Sequence, residues 1–262
     1  MNDADLQADG DPEFMTSLAR GLAVLQCFAE QERLMTIAQA SQLTNLSRPA
    51  VRRCLHTLTR LGYAEKIGTK YALKPKVMAL GYAYLSSTPL AVQAQPLLDT
   101  LRDEIGESCS LGLLEADEVC YIARAETSRI MSVALRVGSR LPLYPTSMGR
   151  VLLAGMSVDE RRAYFRRVAI VPITARTETQ ISRLLAICEQ VADEGFAIVD
   201  QELEPGLRSI AVPVRSSTGQ IRAALNIGTN AQRHSEADLR TRLLPALRNC
   251  ARALSALDRD RQ

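Results

Sequence analysis

The sequence predicts an α+β chain of two domains, a small basic one followed by a larger one. Three observations carry this. The chain has 262 residues, more than one typical domain of about 100–200 residues. Basic charge is concentrated in one early stretch. Apolar residues in that stretch recur at helical spacing, whereas the remainder alternates helical runs with short strand-like runs joined by turns.

Composition bounds the class. The chain is 47% hydrophobic and 23% charged, as in a soluble protein with a real core. Trp is absent and aromatics are 4%, so Leu, Val, Ile and Ala must build that core. No apolar run approaches the roughly 20 residues that span a bilayer, so no membrane association is expected. The start, MNDADLQADGDPEF, is acidic and lacks an apolar stretch, so it does not read as a signal peptide and the cytoplasm is expected. Cys27, Cys54, Cys109, Cys120, Cys188 and Cys250 form no C-x-x-C pair or zinc-finger spacing. They read as reduced, structural thiols.

The net charge of +3 hides an asymmetry. Residues 1–14 carry five acids and no base, and are expected to be a disordered tail. Residues 15–88 carry ten bases, including all four lysines of the chain, against three acids. Residues 89–262 carry 22 bases and 21 acids. A localised excess of this kind is the footprint of a polyanion-binding surface. Charge alone leaves a merely solvated basic face equally open.

The basic segment, residues 15–74, reads as three helices and a hairpin. Leu18, Leu22, Leu25 and Phe28 recur at helical spacing after Ser17, a candidate N-cap. Thr36 and Gln39 form a capping-box pattern at the start of a short second helix. Thr44-Asn45-Leu46 is the turn. Ser47 caps a third helix that tolerates Pro49 in its first turn and ends at Gly62. Val51, Cys54, Leu55, Leu58 and Leu61 share one face of it. Arg48, Pro49, Arg52, Arg53, His56 and Arg60 fall on the other. Two short helices joined by a tight turn, the second basic on its outer face, make the helix-turn-helix pattern, whose second helix enters the major groove. Arg can bond guanine O6 and N7 in that groove, or phosphate oxygens. Strand-like runs around Gly68-Thr69-Lys70 add a wing, with Lys70 at its tip. Ser47, Arg48, Pro49, Arg52, Arg53, His56, Arg60 and Lys70 are the candidate contacts to double-stranded DNA.

Residues 75–88 read as a linker helix, apolar on more than one side, and a natural dimer element unless it packs within its own chain. In residues 89–262, helices are expected over 90–105, 147–154, 157–167, 177–194 and from about 235 past 254, interrupted at Pro245. Strands are expected over 110–114, 119–123, 130–135, 196–199, 209–214 and 221–227. Hairpin strands with helices imply an antiparallel or mixed sheet covered on at least one face. Two segments stand apart as loops, Gly138–Arg150 and Asp200–Ser209. The first ends at a helix N-terminus capped by Thr146 or Ser147. Free N–H groups there favour an anion, and the small residues Ser147 and Gly149 let one approach. Together the loops can line a pocket for a small acid, although spacing alone fits an ordinary capped helix and a solvated loop as well.

LPLYPTSMGRVLLAG and VDQELEPGLRSIAVPVR, with residues 17–88, resemble the IclR family of bacterial regulators over nearly the whole chain after residue 14. RPAVRRCLHTLTRLGYA, ALGYAYLSSTPLA and QELEPGLRSIAVPV are similar to its subgroup controlling protocatechuate, 4-hydroxybenzoate and β-ketoadipate catabolism. The resemblance implies a winged helix-turn-helix, a linker helix and a GAF-like effector domain with a central antiparallel sheet. It implies homodimers or dimers of dimers on palindromic operators, with RNA polymerase a candidate partner, and a small aromatic or dicarboxylic acid as effector. It maps one pocket loop onto Tyr144, Thr146, Ser147, Met148, Gly149 and Arg150, and a second onto Asp200, Glu202, Arg208 and Ser209. A carboxylate calls for an Arg, for which Arg136, Arg150 and Arg208 are candidates. Leu143, Tyr144 and Met148 are candidate walls for a ring, and Asp200 or Ser209 a partner for its hydroxyl.

An enzyme of small-acid metabolism and a ligand-independent DNA-binding protein are the competing classes. The chain has two histidines, His56 and His234, and no nucleophile elbow, P-loop, H-E-x-x-H or dinucleotide fingerprint. Cys109 or Cys120 as a nucleophile lacks a base. No catalytic residue, cofactor or metal site is assigned, and His234 is expected on the surface.

Overall fold

The computed structural model describes residues 11–29, 34–127 and 135–257. The chain divides into two compact units, residues 1–84 and 85–262. Residues 1–10 of the expected acidic tail lie outside the described residues.

The first unit opens with α1, Thr16–Gln26. Met15, not Ser17, is its N-cap, and no side chain caps it. Ala23 and Val24 supply its buried face, while Leu18 and Leu22 are 57% and 47% exposed. The helix carries two apolar stripes, and helical spacing by itself cannot say which one meets the core. β1, Met35–Thr36, leads into α2, Ile37–Thr44. Gln39 N donates to Thr36 Oγ1 (3.2 Å) and Thr36 N donates to Gln39 Oε1 (2.9 Å), completing the expected capping box. Asn45 takes a left-handed φ of 55° and turns the chain toward α3, Arg48–Arg60. Ala50 N donates to Ser47 Oγ at α3's start. At its end Tyr63 N bonds Leu58 O and Gly62 N bonds Thr59 O, a Schellman closure for which Gly62 adopts a φ of 80°.

β2, Ala64–Ile67, and β3, Lys70–Leu73, form the wing around a two-residue turn. Lys70 is therefore not a turn residue: it opens β3, opposite Ile67. β1 pairs with β3 through Met35 and Tyr71, adding a third strand that the sequence did not announce. Val24, Met35, Ala40, Val51 and Leu55 are fully buried at the centre of this unit. Leu61, expected on that face, is 54% exposed because the chain is already closing at Gly62.

A 3-10 turn, Pro75–Val77, precedes α4, Met78–Ser87, so the linker helix begins later than its pattern suggested. No residue of α4 is buried, and Met78, Leu80, Tyr82 and Tyr84 are each at least half exposed.

The second unit begins with α5, Pro89–Ile105, which ends on Gly106 in the left-handed conformation. β4, Ser108–Glu115, and β5, Glu118–Ala125, follow. The strand expected over 130–135 falls on residues of which 130–134 lie outside the described ones, and Leu135 belongs to no strand. β6, Arg140–Pro142, lies within the stretch expected to be loop and pairs with Glu118–Cys120. Next come α6, Ser147–Ala154, α7, Val158–Arg167, and α8, Ile181–Glu194. α8 starts later than expected because Thr177 is held by the preceding loop. Its Oγ1 accepts from Thr174 N (2.8 Å) and donates to Glu202 O (2.7 Å). β7, Ala197–Asp200, β8, Leu207–Arg215, and β9, Ile221–Asn230, complete the sheet. A short α9, Glu236–Asp238, and a π-helical turn, Leu239–Leu243, lead to α10, Leu244–Leu257. The widened turn sits just before Pro245, whose ring would clash with a regular preceding turn.

The described strands of the second unit form one antiparallel sheet in the order β6-β5-β4-β9-β8-β7. Period-two alternation splits it between two layers. Leu111, Ile210, Val212, Leu225 and Ile227 face α5 and α10, where Leu98, Leu101, Leu247 and Leu254 meet them. Tyr121, Ala197, Ala211 and Ala224 face α6, α7 and α8 through Val151, Leu152, Tyr164 and Leu184. Helices thus cover both faces.

None of the six cysteines is in a disulfide. Burial pushes the Cys109 thiol to about 12 and those of Cys188 and Cys250 to about 11, which suits inert core residues. Among the described residues no helix is long and apolar enough to cross a membrane.

Candidate functional site

Two surfaces concentrate chemistry, one in each unit. In the first, burial of Val51, Leu55 and Leu58 fixes the rotation of α3. Arg48, Pro49, Arg52, Arg53, His56 and Arg60 are then exposed together, with Ser47 at the helix start and Lys70 exposed on the wing. Among the described residues no ion pair engages Arg48, Arg52, Arg53 or Arg60. An uncompensated cationic helix face beside a β-wing is suited to a phosphate backbone.

The second surface is a cavity on the α6 side of the sheet. Strand register builds it row by row. Arg124 of β5 lies opposite Ser110 of β4, and Ser110 opposite Asn226 of β9. In the next row Ser108 lies opposite Gly228, and Gly228 opposite Ser209 of β8. A bulge decides which residues of β5 take part. Leu111 pairs with Ala123 but Gly112 pairs with Tyr121, so Ile122 is an extra residue. One inserted residue reverses the alternation, placing both Tyr121 and Arg124 on the cavity side. Thr146, Ser147 and Met148 close the cavity from the start of α6, and Val199, Leu203 and Leu207 from the far edge. Its volume is ≈ 40 Å³, several times the roughly 10–15 Å³ that one water requires.

The polar chemistry inside is unbalanced. Ser147 Oγ and Asn226 Oδ1 are buried and have no hydrogen-bond partner among the described residues. Arg124, with its side chain 12% exposed, donates from Nη1 to Ser110 Oγ (2.8 Å) and from Nε to Glu126 Oε1 (2.7 Å). Burial pushes the Tyr121 phenol to about 12, so it is a neutral wall. Thr146 caps α6, its Oγ1 accepting from Gly149 N at 3.1 Å. Ser147 and Met148, the first two residues of α6, line the cavity beside this cap.

Of the loop residues singled out from the sequence, Thr146, Ser147, Met148 and Ser209 line the cavity. The others are placed elsewhere, each for a visible reason. Arg136 is exposed. Leu143 and Tyr144 are buried in the core beneath α6, and Tyr144 OH donates to Val171 O at 2.8 Å. Gly149 admits the backbone of its own loop, not a ligand: a β-carbon there would lie 2.1 Å from Leu143 O. Arg150 is 4% exposed and braces the two loops, with Nη2 on Glu202 Oε2 (2.7 Å) and Nε on Tyr144 O (2.9 Å). Glu202 also accepts from Glu178 N at 2.9 Å. Arg208 holds Asp200 (2.7 Å) and His234 O (2.6 Å). That hydrogen bond, with Gln201 and Arg176 adding to it, keeps the Asp200 carboxyl below its ordinary range. His234 is not at the surface: it is 8% exposed, with Nε2 3.2 Å from Glu107 Oε1.

Arg124 and Asn226 are not among the site residues expected from the sequence. Both stand among apolar neighbours in strand-like runs, where a polar residue on an inward position is the signal. Among the described residues, no group of three or more His, Cys, Asp or Glu is placed to hold a metal ion.

Known proteins match both units. Residues 17–68 match the IclR helix-turn-helix domain, and residues 82–256 match the IclR C-terminal domain of bacterial transcriptional regulators. The chain is 52% identical over 246 residues to the Pca regulon regulatory protein of Pseudomonas putida, covering 94% of this chain and 84% of that one. It superposes on a transcriptional regulator from Rhodococcus sp. RHA1 with a TM-score of 0.85 and 42% identity, covering 95% of this chain and 100% of the other. The inducer-binding domain of PobR from Acinetobacter, a double mutant in complex with 3-hydroxybenzoic acid, matches with a TM-score of 0.60 and 28% identity over 63% of this chain and 97% of that domain. A cationic winged helix-turn-helix joined to a cavity-bearing antiparallel domain is the arrangement of regulators that bind DNA and a small effector, and this chain belongs to the IclR family of bacterial transcriptional regulators.

Proposed function

We propose that the second unit binds a small aromatic carboxylic acid in its cavity and thereby sets the affinity of the first unit for an operator. One observation carries this reading. The cavity brings a nearly buried guanidinium, Arg124, together with two buried oxygens that have no partner among the described residues, Ser147 Oγ and Asn226 Oδ1. Buried polar atoms without partners are costly unless a ligand or water satisfies them. Arg124 supplies the partner a carboxylate needs. Ser147 and Asn226 suit a ring hydroxyl, and Tyr121, Met148, Leu203 and Leu207 supply the walls. The complex of the related PobR domain with 3-hydroxybenzoic acid supports that ligand class.

On DNA, the exposed face of α3 from Ser47 to Arg60 reads the major groove while Lys70 on the wing contacts the backbone. Recognition of paired half-sites calls for two copies. The uncovered apolar surface of α4 fits a homodimer, or a dimer of dimers. The regulator then acts in the cytoplasm, where it recruits or blocks RNA polymerase.

Calorimetric titration with 3-hydroxybenzoate, 4-hydroxybenzoate, protocatechuate and β-ketoadipate tests the effector. Saturable binding of an aromatic acid, lost in Arg124→Met, is the expected result. Binding of β-ketoadipate alone replaces the aromatic class with a dicarboxylate, and binding of none removes the effector reading.

A further inference from the structure

We infer that Ser110 is a positioning residue for the effector site: its hydroxyl draws the Arg124 guanidinium across the sheet and holds it where an acid can bind. The inference rests on the effector reading above and concerns what aims the cation.

Ser110 of β4 and Arg124 of β5 are register partners on neighbouring strands. An arginine side chain on β5 is long enough to reach outward to solvent or across to the next strand, about 4.8 Å away. Arg124 crosses. Its Nη1 donates to Ser110 Oγ at 2.8 Å, which brings the guanidinium to β4. On its other side Ser110 is the register partner of Asn226 on β9. Asn226 Oδ1 is one of the two cavity oxygens without a partner among the described residues. The crossing therefore shortens the gap between the cation and the Asn226 strand from about two strand spacings to about one. That is the scale of a single ring carrying an acid group and a hydroxyl.

The guanidinium keeps donors to spare. Ser110 takes one N–H of Nη1, and Glu126 takes that of Nε. The second N–H of Nη1 and both of Nη2 have no partner among the described residues. A carboxylate can pair with Nη1 and Nη2 while Ser110 and Glu126 both stay in place. The two residents pull in different directions. The Glu126 side chain is 57% exposed, whereas Ser110 is fully buried. Without the Ser110 oxygen, the remaining side-chain tie among the described residues is to that exposed carboxylate. Hydration of the cation favours the same outward move. Ser110 is not itself among the residues that line the cavity, so its effect on a ligand passes through Arg124.

The test titrates 3-hydroxybenzoate and 3-hydroxybenzamide calorimetrically into the parent protein, Ser110→Ala and Ser110→Cys. One substitute is slightly smaller than serine and the other slightly larger, and neither carries the oxygen. Thermal unfolding checks that both variants keep the fold. Each is expected to weaken binding of the acid on the order of tenfold, the worth of a hydrogen bond to a charged group. The amide, which brings no charge to the guanidinium, shows no such step. Acid affinity that survives in either folded variant overturns the inference while leaving the effector reading in place. An equal fall for acid and amide also overturns it, since repacking around position 110 would then be the cause. If the parent protein binds none of the aromatic acids, the effector reading falls and the inference with it.

Discussion

Arg150 and Gly149 are adjacent, and neither lines the cavity, yet both shape it. Gly149 lets the Leu143 backbone lie against the first turn of α6 at a distance no β-carbon tolerates. Arg150 then reaches from that turn to Glu202, fastening the α6 loop to the loop between β7 and β8. Both ions are nearly buried, with side chains 4% and 11% exposed. Removing one partner would leave the other as an unpaired interior charge. Arg150→Met is expected to cost about 3–5 kcal/mol of stability. Urea unfolding of the parent and variant checks this, and a loss under about 1 kcal/mol would mean that Glu202 finds water or another donor. LPLYPTSMGR drew attention as a special loop, but the sequence could not separate residues that touch a ligand from residues that hold the loop. That separation depends on which side chains reach across 52 positions of chain to a partner.

The elements differ in how legible they are. α2 and α3 announce themselves through local chemistry: the Thr36–Gln39 box, the Ser47 cap and the Gly62 stop act within a few residues of chain. Their geometry puts four arginines, none in an ion pair among the described residues, on the exposed side of α3. Neutralising one of them by Arg52→Ala is expected to weaken operator binding. If Arg52 contacts a phosphate, the variant will also flatten the dependence of log affinity on log salt by about one unit. Fluorescence anisotropy across a salt series reads both, and an unchanged affinity would place Arg52 off the DNA. β5 is the opposite case. Its apolar run reads as a plain alternating strand, and only the bulge at Ile122 turns Arg124 toward the cavity. A bulge arises from pairing between two strands, so one strand's sequence does not display it.

For the molecule as a whole, the proposed reading puts DNA and effector on different units of one chain, and their coupling is then a matter of linkage. The effector must change operator affinity by the same factor by which the operator changes effector affinity. Anisotropy with and without effector, and calorimetry with and without operator, give the two factors. Equality away from one is expected, while two factors of one would mean that the cavity does not control the DNA-binding unit. In the sequence α4 joins the two units, and it is an apolar helix with no buried residue. Its exposure is a property of the chain taken singly, and the homodimer proposed above would cover it.

The amino-acid sequence by itself determined the class of each unit, the helix boundaries set by caps, the basic face of α3 and the family. These depend on short-range spacing and on side-chain chemistry that acts locally. Tertiary structure alone decided which apolar stripe of α1 is buried, which loop residues brace and which line the cavity, and that Arg124 is the cation inside it. Those outcomes are set by strand register and by contacts between residues far apart in the chain. A one-residue change in pairing turns a side chain from one face of the sheet to the other, and no local pattern records it.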